Sequence, residues 1–170
     1  QNVLLRGILY ADAVNTVSPT HAVEILTPEY AEGLETVLQK VSKKLTGILN
    51  GIDTDEFNPA TDRLIKKTFT KRTVTVAKRI NKEELQKRFG LPVDPSRSLF
   101  AVAGRLSQQK GWDLLLEILP HLFRNRLDVQ IVVLGGGEDR YRGRLSVIAQ
   151  QHQPQLGLML QSDFELSHTL

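Results

Sequence analysis

From Ser98 onward, short apolar runs alternate with longer stretches whose apolar residues recur at helical spacing. The apolar runs are "SLFAVAG", "DVQIVVLGGG" and "QLGLMLQS". The stretches between them are "WDLLLEILPHLFRN" and "EDRYRGRLSVIAQQH". Apolar strands that alternate with helices predict a parallel sheet with helices on both faces. Proline has no N–H to donate, so we expect Pro120 to kink the first helix or to restart it.

The first fifty residues predict a strand, then helices, then a second extended segment. "ADAVNTV" is rich in β-branched residues, and Ser18-Pro19 is a capping pair that predicts a helix through "THAVEIL". Thr27-Pro28 repeats this start signal, and apolar residues from Tyr30 onward predict a second helix that runs to about Lys40. "KLTGILNGID" predicts a short extended segment that ends in a turn at Asn50-Gly51.

Composition excludes several classes of protein. Hydrophobic residues make up 41% and charged residues 24% of the 170 residues, which is typical of a folded globular protein. No apolar run reaches the roughly 20 residues of a membrane-spanning helix. The chain has no cysteine, so it has no disulfide or thiolate chemistry, which fits a reducing compartment. It begins with Gln1 and shows no signal peptide, and we expect it to be a piece of a longer protein.

One segment is strongly basic. Residues 63–88 contain ten Lys or Arg and two Asp or Glu, a local net charge of +8 in a chain whose total is +3. Such a segment can attract a polyanion such as nucleic acid. It has few aromatic residues for stacking on bases and matches no nucleic-acid motif, so we favour a solvated or loosely ordered connector.

Two polar loops follow the first two predicted strands of the second half. "GRLSQQKG" contains Arg105 and Lys110, and "GGGED" begins at Gly135. The carboxyl ends of parallel strands meet at one edge of a sheet, where ligands bind in such folds. Glycine permits close approach of the backbone, and Arg and Lys bind phosphate oxygens, so this rim suits a diphosphate. The alternatives are two solvated loop cations and an ordinary glycine turn.

Other phosphate and metal motifs are absent from the sequence. Neither loop matches G-x-G-x-x-G or G-x-x-x-x-G-K-[ST], which disfavours a nicotinamide cofactor and a P-loop. The four histidines are scattered, and His121 in the apolar helix is expected to be structural. We therefore expect no metal and no cofactor.

Five stretches follow one another as they do in the bacterial and plastid glycogen and starch synthases. They are "YADAVNTVSPTHAVEIL", "LTGILNGIDTDEFNPATD", "NKEELQKRFGLP", "LFAVAGRLSQQKGWDLLLEILP" and "VQIVVLGGGEDRY". The chain resembles this family from about Tyr10 to Leu170. The family consists of retaining glycosyltransferases of the GT-B fold, so the resemblance implies an α/β protein with a Rossmann-like parallel sheet and flanking helices, as part of a GT-B enzyme.

The resemblance also implies a division of the chain. Residues 1–45 correspond to the end of the N-terminal glucan-acceptor domain and residues 46–59 to the interdomain linker. Residues 60–170 correspond to the first half of the C-terminal nucleotide-sugar domain. The family's N-terminal lysine motif and its downstream carboxylate lie outside this stretch, so we expect the isolated chain to be inactive.

By the same resemblance, Arg105 and Lys110 are the expected catalytic residues, because they bind the diphosphate of ADP-glucose. The expected substrate-binding set is Asn50, Gly104, Arg105, Lys110, Gly135 and Gly136. Asp53 is a weaker candidate, since an Asp after Asn-Gly also suits an ordinary turn. Relatives often carry an aromatic residue shortly before "SH", and here that neighbourhood reads "QSDF", which leaves the adenosine contact open.

The implied reaction transfers glucose from ADP-glucose to the non-reducing end of an α-1,4-glucan. The implied partners are these two substrates, with no nucleic acid and no membrane, in the bacterial cytoplasm or the plastid stroma. Donor base and oligomeric state stay open. Two alternatives remain: another nucleotide-sugar transferase of the GT-B fold, and a non-catalytic module that binds nucleotide or glucan.

Overall fold

The computed structural model describes residues 3–126 and 128–170. The chain forms two compact units, Gln1–Asp53 and Thr54–Leu170, each with its own parallel sheet. The boundary between the units lies inside the segment 46–59 that the resemblance marks as a linker. The first residues of that segment, however, belong to a strand of the first unit.

The first unit is a two-stranded parallel sheet with short helices. Its elements are α1 (Val3–Tyr10), β1 (Val14–Val17), α2 (Pro19–Glu24), α3 (Glu35–Lys40) and β2 (Leu45–Ile48). β1 pairs with β2 in parallel register, from Val14 opposite Leu45 to Val17 opposite Ile48. The Nζ of Lys44 donates a 3.0 Å hydrogen bond to the carbonyl of Leu9, which ties the end of α1 to the segment before β2.

The predicted strand and the first predicted helix of this unit are confirmed, but the expected side-chain cap is wrong. Ser18 precedes α2 with φ 83°, and its side chain makes no capping hydrogen bond. The backbone of Ser18 packs closely against β2: a Cβ on Gly47 of that strand would lie 2.3 Å from the Ser18 carbonyl oxygen. The glycine in β2 therefore lets the start of α2 approach the sheet closely.

The second predicted helix begins later than expected, and one helix was not predicted. The chain after Thr27-Pro28 forms turns, and α3 begins only at Glu35. Glu32 and Gly33 have φ values of 49° and 82°, which no helix accommodates, so the helical spacing from Tyr30 is interrupted there. α1 had no sequence signal that singled it out.

The second unit has the predicted α/β alternation. Its elements are α4 (Val74–Arg88), β3 (Ser98–Ala103), α5 (Trp112–Asn125), β4 (Val129–Leu134), α6 (Asp139–Gln151), β5 (Leu156–Met159) and the short α7 (Phe164–Ser167). The strands are parallel and ordered β3-β4-β5. β4 lies between the other two and is buried along its whole length.

Helices cover both faces of this sheet, because alternate residues of β4 enter two different apolar clusters. Ile131 and Val133 pack with residues of α5 and α6. Val132 and Leu134 pack with residues from the end of α4 and with Leu166 of α7. The predicted two-sided parallel sheet is thus confirmed.

Of the two effects expected of Pro120, a kink or a restart, the restart is wrong. α5 runs through Pro120 from Trp112 to Asn125, and Leu116, Leu119 and Phe123 on its inner side are all at most 1% exposed and anchor the helix on the sheet. Among the described strands β3 lies at one edge of the sheet, and its Phe100 is 56% exposed.

The basic segment is more ordered than we expected. Its second half is α4, which packs through Ala77 and Leu85. In the same helix the buried Gln86 donates a 2.6 Å hydrogen bond to the side-chain oxygen of Gln130 in β4. Gln130 in turn donates to the carbonyl of Pro92 at 2.9 Å. Apolar packing and a satisfied buried amide network therefore hold a helix whose outer face carries the positive charge.

Candidate active-site rim

The two polar loops lie side by side at the carboxyl end of the second sheet. Gly104 donates to the Leu134 carbonyl at 3.0 Å, and Leu106 donates to the Gly136 carbonyl at 2.9 Å. Glu138 donates back to the Leu106 carbonyl at 2.9 Å. The parallel ladder between β3 and β4 thus continues into the loops and holds their backbones together. The prediction that both loops share one rim is confirmed by this register.

Glycine is required where these loops touch. A Cβ on Gly135, whose φ is 152°, would lie 1.9 Å from the carbonyl oxygen of Gly104. A Cβ on Gly137 would lie 2.3 Å from the carbonyl oxygen of Leu106. These distances are far inside van der Waals contact, so the first and third glycines of "GGG" serve the pairing of the loops. Gly136 is half-buried, and its Cβ would meet no atom closer than 3.8 Å.

A cavity of about 380 Å³ opens at this rim. Three segments line it: the end of β3 with its loop, the end of β4 with its loop, and the residues around α7. The lining residues are Ala103, Gly104, Arg105, Leu134, Gly135, Gly136, Ser162, Asp163, Phe164 and Ser167. Four of the predicted site residues, Gly104, Arg105, Gly135 and Gly136, therefore meet at one cavity.

The remaining predicted residues lie elsewhere in the chain. Lys110 is exposed and ends the short 3₁₀ turn Gln108–Lys110, in the same loop as Arg105 but outside the lining of the cavity. Asn50 is exposed and follows β2 in the first unit, in a segment without regular structure, and Asp53 is the last residue of that unit. The roles predicted for these three residues stay predictions.

The positive charge at this rim comes from cationic side chains more than from helix N-termini. A helix follows each loop, and a helix N-terminus can in principle attract an anion. Carboxylates lie near both of these ends: Asp113 is in the first turn of α5, and Glu138 and Asp139 begin α6. A carboxylate there interacts favourably with the helix dipole and competes with any bound anion. The positive charge available to a ligand is thus mainly that of Arg105 and Lys110.

Phe164 is a lining residue that sequence reasoning did not assign to the site. It is 59% exposed at the first position of α7, which Asp163 caps by accepting a 2.8 Å hydrogen bond from the Leu166 amide. Its ring also meets His168 edge-on, with centroids 4.9 Å apart. The sequence "QSDF" shows that an aromatic residue is present, but only the packing of α7 brings its ring to the cavity that Arg105 also lines.

A buried pair lies next to this aromatic residue. Nδ1 of His168 donates to the Asp62 carboxylate at 2.8 Å, and the two side chains are 2% and 9% exposed. Phe57 stacks on the imidazole with centroids 4.8 Å apart. Burial acts to raise the pKa of Asp62, but the hydrogen bonds from His168 and the Leu64 amide and the charge of His168 outweigh it. The pKa of Asp62 is therefore lowered from its ordinary value of 3.8.

Two further features bear on function. Among the helices of residues 3–126 and 128–170, none is both long and apolar enough to cross a membrane. In the part of the chain that the structure describes, no three His, Asp or Glu side chains cluster in a way that suits a metal ion.

Comparison with known proteins gives one consistent family. A family model described as the starch synthase catalytic domain matches residues 1–40. The chain is 41% identical over 169 residues to a glycogen synthase of Rhodopirellula baltica, which is 99% of this chain and 33% of that protein. It is 43% identical over 169 residues to a glycogen synthase of Lactobacillus acidophilus, covering 99% of this chain and 35% of that protein. The chain thus spans about one third of the length of these relatives.

A solved structure agrees with the sequence relatives. The catalytic domain of starch synthase IV from Arabidopsis thaliana, bound to ADP and acarbose, matches this chain with a TM-score of 0.86 and 37% sequence identity. The match covers 98% of this chain and 34% of that one. Fold and sequence similarity therefore extend together over nearly all of the 170 residues.

Proposed function

Since this chain is a homologue of the glycogen and starch synthases over nearly its whole length, we propose that it supplies the diphosphate-binding rim of a retaining glucosyltransferase. The enzyme moves glucose from ADP-glucose to the 4-hydroxyl at the non-reducing end of an α-1,4-glucan. One observation carries the proposal. Arg105 and the backbones of Gly104, Gly135 and Gly136 line a single cavity at the carboxyl end of a parallel sheet.

The rim suits the charge that develops during this reaction. As the bond between the anomeric carbon and the diphosphate breaks, negative charge grows on the leaving diphosphate. The Arg105 guanidinium presents a planar fork of N–H donors, and the Lys110 ammonium presents a point charge. Groups that meet this growing charge stabilise the transition state more than the bound substrate, and so they lower the barrier.

The backbone of the rim assists in a different way. Glycine at positions 104, 135 and 136 carries no Cβ, so a ligand can approach the main chain of both loops closely. The ladder from Gly104 through Leu106 to Glu138 holds this backbone in place before a ligand arrives. A preformed site needs little reorganisation when charge develops.

The division of the chain and its location belong to the same proposal. We assign residues 1–45 to the end of the glucan-acceptor domain, 46–59 to the linker and 60–170 to the first half of the nucleotide-sugar domain. Asn50 then contributes from the linker to substrate binding. Homologues in bacteria and in a plant favour the bacterial cytoplasm or the plastid stroma.

The test measures nucleotide binding and glucosyl transfer separately. Titration calorimetry of the chain with ADP should show binding that weakens at least about tenfold in Arg105→Ala and in Lys110→Ala. In the protein as its gene encodes it, each variant should lower kcat for transfer from ADP-glucose to glycogen by about a hundredfold or more. Lys87→Ala, which removes an exposed cation of α4, is the matched control and should leave both quantities unchanged.

Each other outcome points to a different function. Normal turnover in both rim variants contradicts the proposal. Faster transfer from UDP-glucose than from ADP-glucose indicates another nucleotide-sugar transferase of the same fold. Binding of ADP or glycogen without transfer by the gene product indicates a non-catalytic module.

A further inference from the structure

The one tryptophan of the chain, Trp112, begins the helix that follows the Arg105 loop. Its side chain is 2% exposed and packs in the apolar cluster that includes Leu106, Leu116 and Tyr141. A tryptophan buried this deeply has to place its indole N–H against an acceptor, because an unpaired buried donor costs free energy.

The acceptor is the main chain of the loop itself. The Nε1 of Trp112 donates a 2.8 Å hydrogen bond to the carbonyl oxygen of Arg105. The Ser107 amide donates to the same oxygen at 3.0 Å. With both acceptor positions of this oxygen filled, the peptide plane that follows Arg105 is held by the core on one side and by its own turn on the other.

We propose that Trp112 is a positioning residue for the nucleotide site, acting through the backbone of Arg105. The neighbouring Leu106 is already fixed to the second loop by its two backbone hydrogen bonds, to Gly136 and from Glu138. The Arg105 carbonyl and the Leu106 N–H belong to one peptide unit, so the indole holds its oxygen side while Gly136 holds its nitrogen side, and together they fix the backbone next to Arg105, a residue that lines the cavity. This inference rests on the proposed function, since it concerns how the same rim binds a diphosphate.

A purely structural role for Trp112 makes a different prediction. If the indole N–H only satisfied a buried donor, its loss would lower stability and leave nucleotide affinity unchanged. Tyr141 provides the comparison, because it belongs to the same cluster and its hydroxyl donates a 2.9 Å hydrogen bond to Asp113 and not to the Arg105 carbonyl. Tyr141→Phe therefore removes one hydrogen bond of the same region while leaving the Arg105 carbonyl untouched.

The experiment removes the N–H of Trp112 alone. Because the chain has a single tryptophan, growth of a tryptophan auxotroph on benzothienylalanine, in which sulfur stands in place of the indole N–H, changes only this position. ADP affinity is measured by calorimetry for the unmodified chain, the sulfur analogue, Trp112→Phe and Tyr141→Phe. Thermal unfolding of all four shows the loss of stability separately.

We expect ADP to bind about three- to tenfold more weakly to the sulfur analogue, as the loss of one net hydrogen bond predicts, and at least as weakly to Trp112→Phe. Tyr141→Phe should unfold at a lower temperature and bind ADP as the unmodified chain does. ADP should also change the fluorescence emission of Trp112 in the unmodified chain, because the indole touches the loop that binds it.

Three results would overturn the inference. If the sulfur analogue and the unmodified chain bind ADP equally well, Trp112 does not position the site, and the proposed function is unaffected. An equal loss of affinity in Tyr141→Phe shows that the effect is one of general stability. Absence of ADP binding to the unmodified chain contradicts the proposed function together with this inference, so the two failures are distinguishable.

Discussion

The carboxylate of Asp62 accepts a 2.8 Å hydrogen bond from Nδ1 of His168, and 106 residues separate the two in sequence. Both side chains are almost fully buried, at 9% and 2% exposed, and the second imidazole nitrogen is buried with no hydrogen-bond partner among the described residues. His168 directly follows α7, whose Phe164 lines the rim cavity. The pair therefore holds the last helix of the described chain against the segment that begins the second unit.

Asp62→Asn should destabilise the second unit by about 1–3 kcal/mol, because the buried imidazole loses its charged acceptor. The free energy of unfolding is measured in urea near neutral pH. Asp128→Asn is the matched control, since it breaks a hydrogen-bonded ion pair of similar length, 2.9 Å to Arg126, whose side chains are more than half exposed. Exposed pairs contribute little, so the control should leave the free energy of unfolding close to that of the unmodified chain. Equal effects in the two variants would contradict the importance of the buried pair.

The same pair predicts an acid limb in stability. The pKa of Asp62 is lower in the folded chain than its ordinary value of 3.8, so the unfolded state binds more protons between the two pKa values. The stabilisation is therefore complete above about pH 4 to 5 and is lost as the pH falls through the folded pKa. Urea unfolding of the parent chain and Asp62→Asn at a series of pH values should give two curves that converge in acid. Curves that stay parallel down to low pH would show that Asp62 does not stabilise the fold through its charge.

Gly135→Ala should disrupt the rim, because its Cβ would lie 1.9 Å from the Gly104 carbonyl oxygen and force the loops apart. We expect ADP affinity to fall at least about tenfold and the melting temperature to fall. Gly143→Ala in α6 is the control, since nothing lies within 4 Å of the Cβ it adds. A glycine in a helix costs roughly 0.5–1 kcal/mol relative to alanine, so this variant should be slightly more stable and bind ADP normally. Normal ADP binding by Gly135→Ala would show that the loops do not need their close approach.

Phe164→Ala should weaken ADP binding by about tenfold, because the exposed ring lines the same cavity as Arg105 and stacking on a base is worth about 1–3 kcal/mol. Inorganic pyrophosphate, which has no base, should bind both forms equally. Phe100→Ala removes a ring of similar exposure, 56% against 59%, from the edge strand β3 and should change neither affinity. If pyrophosphate binding falls as much as ADP binding, Phe164 supports the loops and does not contact the base.

The amino-acid pattern was sufficient to predict the parallel α/β architecture of the second unit and the common rim of Arg105, Gly104, Gly135 and Gly136. These inferences succeed because the alternation of apolar strands with helices is a local pattern, and because parallel strands bring their carboxyl ends to one edge. Local signals were misleading where packing opposed them. α5 does not restart at Pro120, the second half of the basic segment forms α4, and positive φ values at Glu32 and Gly33 delay α3.

The groups that support the rim became apparent only in the folded chain. The indole of Trp112 meets the Arg105 carbonyl, Asp62 meets His168, and Phe164 comes to the cavity because α7 packs on the sheet. One cause applies to all three contacts. A hydrogen bond or ring contact depends on distances of a few ångströms between chosen atoms, whereas hydrophobic periodicity specifies only which face of an element turns inward.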